Sequence, residues 1–417
     1  MAETSAASNA GHSAALPAVR GIGVIKLLTF LMFMMFAMTT DSVGVIIPQI
    51  IKTFGLSMAA AGAFQYATMT GIAAAGIGLG FLADRLGRKA TILIGLSVFA
   101  ANSLLFAVGE RFGVFLALLF VSGAAIGVFK AGALALVGDI SRSSREHTAT
   151  MNMVEGFFGV GAIIGPALVT HLLHAGVHWK WLYVLAGGFC LVLIAIAALT
   201  RYPVTRATAQ PADFRRAFGL LRDPFALGFS CGAALYVGVE AAVYVWMPTY
   251  LAGYRGAAPL MAAYAISIFF GLRAAGRFLG AWLLARFAWD TVLGLCSLAI
   301  FACFVGAVLG GRDAAVFLLP ASGLFMSVIY PTLNSKGISC FAKVEHGAAA
   351  GLILFFTCLS AVFSPMAMGA IGDLSGDTRS AFTFAAGLAG LLLAAGLANR
   401  IFRPTRARLA RLEASEY

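Results

Sequence analysis

The sequence predicts an all-α membrane protein of twelve transmembrane helices, arranged as two pseudo-symmetric halves of six. Three observations carry this. The 417 residues are 61% hydrophobic and 11% charged, with a mean hydropathy of +0.93. A soluble chain carries about 25% charged residues, so this much apolar surface needs lipid as its solvent. Apolar runs recur along the chain at the ~20-residue length that spans a bilayer. Features of the first half also return about 200 residues later.

The runs are taken in order. Residues 1–21 are polar and Ala/Ser-rich, and read as a disordered tail without a cleavable signal. The spans are 22–51, 58–83, 90–109, 112–138, 149–173 and 181–200, then 224–252, 259–285, 291–310, 314–335, 347–372 and 380–399. The first six form one half (22–200) and the last six the other (224–399). A basic linker, 201–223, joins them, and 400–417 is a basic tail. The six cysteines fall mostly inside apolar runs with no CxxC pair. They read as small hydrophobes rather than as disulfides or metal ligands.

An even number of spans puts both termini on one face. Loops and tails of that face hold 20 of the 29 Lys/Arg, and the opposite loops hold six: Lys52, Arg111, Lys180, Arg255, Arg312 and Arg379. Positive residues collect on the cytoplasmic side, so both termini are expected there, in a plasma membrane protein. The same placement accounts for the net charge of +12 without nucleic acid.

The repeat rests on four matches in one register. Pro48 maps to Pro248, Asp41 falls near Glu240, Pro166 falls near Pro365, and Arg85 lies 201 residues before Arg286. Parallel repeats of this kind place a binding site at their interface near the midplane.

The densest local signal is "GFLADRLGRKATILIG", residues 80–95. Gly80 permits close helix packing and Gly87 a tight turn, while Asp84, Arg85, Arg88 and Lys89 crowd a short loop. A solvated basic loop would obey the positive-inside rule equally well. The G-x-L-A-D-R-x-G-R-[KR] pattern between spans 2 and 3 of a twelve-span chain nevertheless resembles the major facilitator superfamily. That resemblance implies the major facilitator fold and a latch between the halves at this loop. Asp84 would face a helix N-terminus of the other half, and Arg88 would reach Asp139 at the end of span 4.

A narrower resemblance is to the fucose permease and glucose/mannose–proton symporter branch. It rests on "LYVGVEAAVYVWMPTYL" (235–251), "MNMVEGFFGVGAIIGPAL" (151–168), "GRFLGAWL" (276–283) and "IYPTLNSKG" (329–337). Against that branch, Lys130 in "GVFK" stands where a proton-coupling glutamate is found. Glu155 replaces a sugar-binding glutamine, and Phe158 an asparagine. Asp41 lies seven residues before its proline instead of four. Fold transfers from the resemblance; the sugar site does not.

Six ionisable residues sit well inside spans: Asp41, Lys130, Glu155, Glu240, Arg273 and Arg277. Such residues normally face a cavity or a partner and mark pathways. By the resemblance, spans 1, 4, 7 and 10 line the cavity, which places Asp41, Lys130 and Glu240 there. Tyr330, 200 residues after Lys130, joins them on the fourth helix. The expected substrate cavity is Lys130, Glu155, Glu240, Arg273, Tyr330, Asn334 and Tyr236; Asp41, Glu155 and Glu240 are the candidate proton carriers. Lys130 has two readings: it attracts an anionic substrate, with Arg273 as a second cation, or it forms a salt bridge with Glu155 and the substrate is a neutral sugar. Arg277 reads as a helix–helix contact.

Enzyme templates are missing: there is no HExxH, P-loop or GxSxG at a strand–helix turn, and no room for a globular domain. The expectation is a carrier of a small polar solute (sugar, sugar acid or other organic anion). It would run by proton-coupled alternating access, without catalytic residues, metal or cofactor, and act as a monomer. Proton-antiport efflux and a non-transporting receptor of the same fold are the alternatives.

Overall fold

The computed structural model describes residues 21–79, 82–141, 144–203, 219–342 and 345–416. Twelve helices follow the expected order: α1 Ile22–Phe54, α2 Ala63–Leu79, α3 Arg88–Leu105, α4 Phe112–Ile140, α5 Ser144–His174 and α6 Trp181–Leu199. The second half holds α7 Pro224–Tyr250, α8 Ala265–Arg286, α9 Trp289–Leu309, α10 Gly311–Ser339, α11 His346–Ser375 and α12 Thr378–Phe402. Among the described residues, eleven are long and apolar enough to span a bilayer. The twelfth, α2, has 17 residues and ends where the description stops. Gly80 and the side chain of Asp84 lie outside the described residues, as do the tail before Gly21 and most of the linker. The face where the described chain starts and ends is called the terminal face; the other is distal.

Several sequence boundaries need correction. The run read as one helix over 58–83 is interrupted at Gly62, with a short turn of helix, Met58–Ala61, before α2. The run 259–285 is likewise split into Pro259–Ala263 and α8. α5 begins five residues earlier than expected, and α10 extends to Ser339. Within the basic tail, Pro404–Glu416 forms a further helix, α13. It is held by Arg406 to Asp290 (2.8 Å) and Arg408 to Asp223 (3.0 Å). Those acids sit at the starts of α9 and α7, where carboxylates also favour the exposed N–H groups.

The duplication is visible in packing. Glycines at a helix crossing let backbones approach closely where apolar side chains gain nothing over lipid. A Cβ at Gly71 would strike the carbonyl of Phe120, and one at Gly123 that of Thr68, so α2 and α4 meet backbone to backbone. In the second half Gly276 meets the Leu324 carbonyl and Gly323 that of Phe269, joining α8 and α10 in the same way.

The halves meet each other at a point of matching register. Gly44 of α1 lies against the carbonyl oxygen of Tyr244 of α7, 200 residues later. Each is four residues before a proline, Pro48 or Pro248. Proline offers no N–H to the carbonyl four residues back, so the Tyr244 carbonyl is free to take this contact. α7 widens into a π turn over Ala242–Trp246 at the same place. α1 breaks at Asp41 and Ser42, just before Gly44. Gly44→Val should drive the halves apart here, cutting transport about tenfold with expression retained; initial uptake rates against membrane abundance check it, and full activity would place the crossing elsewhere in the cycle.

Contacts between the halves gather toward the distal face. α5 packs on α8, and α11 packs on the Met58–Ala61 turn and α2. The seams include Thr170 Oγ1 donating to the Ala263 carbonyl (3.1 Å) and Ser267 Oγ to that of Ile163 (3.0 Å). The molecule is therefore closed at its distal end and splayed toward the terminal face.

Candidate functional site

The charged residues of the centre occupy two neighbouring clusters. The first is built on α7 and α8. Tyr236 and Glu240 are one turn apart on α7, and both are buried. Tyr236 Oη donates to Glu240 Oε1 at 3.0 Å, and Arg273 Nη1 of α8 meets the same oxygen at 2.8 Å. Glu240 is 9% exposed and Arg273 27%. A buried carboxylate needs a charge partner and hydrogen bonds to be tolerated, and this one has both. Tyr330 of α10 stacks against Tyr236 at 6.1 Å, with Asn334 one turn further along the same helix.

The second cluster joins α4, α5 and α8. Arg277 Nη2 lies 3.6 Å from Glu155 Oε2, and both side chains are about half exposed. Because α5 and α8 belong to different halves, this pair bridges the opening. Lys130 on α4 stands nearby with its ammonium 5.4 Å from the centre of the Phe158 ring, within cation–π range. The helices run further than their apolar runs, so Lys130 and Glu155 are ten and eleven residues from their helix ends. At ~1.5 Å per residue each lies about 15 Å along its helix from that end.

Two sequence expectations are corrected by this geometry. Lys130 and Glu155 do not form an ion pair, because Glu155 turns to Arg277. Arg273 is not a spare cation, because Glu240 holds it. Among the described residues Lys130 has no acid within ion-pair distance, unlike Arg273 and Arg277. Arg277 joins α8 to α5 through Glu155. Asp41 sits in the break of α1, where Thr40 Oγ1 donates to its carboxylate at 2.9 Å. The sequence signalled the charge at Asp41 but not the break.

At the terminal face, Gly87 has φ +84°, which only glycine adopts readily. It turns the chain from the short helix Leu82–Arg85 into α3. Arg88 reaches Asp139 at 2.8 Å and the Ala83 carbonyl at 2.9 Å. Lys89 donates to the carbonyls of Ala198 and Thr200 (2.8 and 2.9 Å), satisfying oxygens that the end of α6 leaves open. These described contacts all lie within the first half, so in this conformation the loop braces the Leu82–Arg85 helix, α3, α4 and α6.

Residues 28–365 match the family described as the Major Facilitator Superfamily. The chain belongs to this superfamily. It is 25% identical over 377 residues to the L-fucose-proton symporter of Escherichia coli (strain K12), covering 81% of this chain and 84% of that protein. A shorter stretch of 179 residues is 28% identical to the 4-hydroxybenzoate transporter PcaK of Pseudomonas aeruginosa, covering 43% and 39% of the two chains. Among solved structures, a bacterial homolog of the human lysosomal transporter Spinster, inward-facing and occupied, aligns with TM-score 0.74 at 16% identity, covering 92% of this chain and 98% of that one. The E. coli fucose symporter in its outward conformation aligns at 0.61 and 22% identity, covering 89% and 97%. The chain is thus a major facilitator superfamily transporter and not an enzyme, and the similarity to the fucose symporter agrees with the motif resemblance.

Proposed function

We infer that this transporter carries a small organic anion together with protons, by alternating access, across the plasma membrane. The terminal face is cytoplasmic, on the arginine and lysine bias of its loops, which makes the splayed conformation inward-open. One observation supports the anion above all. Lys130 is a deep cation over an aromatic ring; the acids that act on it, Glu155 and Asp41, stay beyond ion-pair distance, whereas Arg273 and Arg277 are each matched to an acid. An ammonium held this far inside costs roughly 3 kcal/mol or more, and a carboxylate arriving with the substrate offsets that cost.

The relatives divide on this point. The fucose symporter is named for a sugar, and the PcaK protein for an aromatic acid. The replacement of the branch's glutamate by Lys130 favours the acid. Proton coupling falls to the carboxylates of the centre, Glu240 foremost, since its partners Tyr236 and Arg273 can rearrange when a proton arrives. A thermal-shift screen of purified protein against sugars, sugar acids and aromatic acids tests the reading. Stabilisation by acids and not by their neutral analogues is expected; stabilisation by neutral sugars alone would overturn it.

A further inference from the structure

We propose that Asp373 is the bolt of the distal gate. It is a positioning residue that holds the halves closed on that face through two hydrogen bonds to the backbone of the other half. Asp373 lies in the last turn of α11. Its Oδ1 accepts from the N–H of Met58 at 2.6 Å, and its Oδ2 from the N–H of Ala59 at 2.9 Å. Both oxygens of one carboxylate are thus spent on successive N–H groups across the seam. Charge-assisted bonds of this kind are short and about twice as strong as neutral ones.

The surroundings are shaped for the approach. A Cβ at Gly372 would press on the Met58 sulfur, and one at Gly369 on the backbone of Ala59 and the Trp246 ring. Thr378 Oγ1 also contacts the Met58 sulfur at 3.6 Å. Glycines on one face of α11 let the Met58 turn come close enough for the carboxylate to reach it.

The repeat makes the asymmetry informative. The equivalent seam in the other register is α5 against α8, with Thr170, Ser267 and a His174–Tyr264 ring contact at 6.4 Å. Subtracting 200 from Asp373 gives Leu173, so the distal end of that seam has no carboxylate at the equivalent place. Neutral hydroxyl bonds close one side of the gate and a charge closes the other. The N–H groups at Met58 and Ala59 can bond to water when the gate opens, which keeps the bolt reversible. The inference does not depend on what is transported.

The test uses purified protein carrying Cys231→Ser and Cys358→Ser, which removes the two exposed thiols, with Met368→Cys as reporter. Met368 is fully buried, one turn inward from Gly372 on the same face of α11. Cys190, Cys296, Cys303 and Cys340 remain as buried internal standards. Asp373→Ala should raise the rate of maleimide labelling at position 368 about tenfold, with Asp373→Asn intermediate and the four standards unchanged. An unchanged rate at 368 would overturn the proposal. So would a rise shared equally by the standards, which would report general loosening instead of gate opening. If Asp373→Ala yields too little protein, Asp373→Asn alone decides, since it keeps the shape and loses the charge.

Discussion

Lys130→Gln should weaken binding of the acidic substrate by about 30-fold to a few thousandfold. Truncating one member of a buried, hydrogen-bonded charge pair costs about 2–5 kcal/mol, and tenfold in affinity corresponds to 1.4 kcal/mol. The pair here forms only when substrate is present, so the variant should fold and express normally. Its thermal stability without ligand should match or exceed that of the parent, because an unmatched deep ammonium is gone. Adding Glu155→Gln separates the two readings of the lysine. If Lys130 serves the substrate, the double variant stays inactive. If it served to hold Glu155 ionised, removing both charges would restore binding, since no unpaired ion remains. The Arg277–Glu155 pair at 3.6 Å favours the first outcome. Equilibrium binding of a labelled acid to the two variants is the measurement, and unaltered affinity in Lys130→Gln would sink the anion reading.

The fold was legible because its determinants can be read from composition and spacing along the chain: run length, loop charge and a repeat of about 200 residues. Helix ends were less so. Apolar composition stops at the lipid, whereas hydrogen bonding continues into the aqueous layer, so α5 and α10 outrun their apolar runs. The break at Gly62 and the structured tail were missed for the opposite reasons. One is a bend inside apolar sequence; the other is a polar helix fixed by arginines to acids more than a hundred residues away. In the candidate site, the residues were legible and their partners were not. Glu240, Arg273, Glu155 and Arg277 were each visible as charges in apolar sequence. Which pairs with which depends on how α5, α7 and α8 cross, and no spacing within one helix encodes that. Asp373 escaped because an acid at the end of a span reads as a boundary marker. The signal that could have found it is its lack of a counterpart in the repeat.

Glu240→Gln and Arg273→Gln should fail differently, although the two residues share one bond. Removing the arginine strands a carboxylate that is 9% exposed, with only the Tyr236 hydroxyl left to it. Loss of one partner from a buried pair costs about 3–5 kcal/mol, so Arg273→Gln should melt several degrees lower and transport poorly in every mode. Removing the charge of Glu240 instead leaves an arginine that is 27% exposed and can turn to water. That variant should fold, bind substrate and exchange it across the membrane, yet lose accumulation against a gradient, because no proton can be taken up at 240 to reset the empty carrier. The double variant Glu240→Gln/Arg273→Gln should recover most of the melting temperature lost in Arg273→Gln while still failing to accumulate. Proteoliposomes with and without an imposed pH gradient, beside a thermal melt of each variant, read out both halves of the argument. Full accumulation by Glu240→Gln would move the coupling to Asp41 or Glu155, whereas a double variant as unstable as Arg273→Gln would mean that the pair is not what stabilises this part of the bundle.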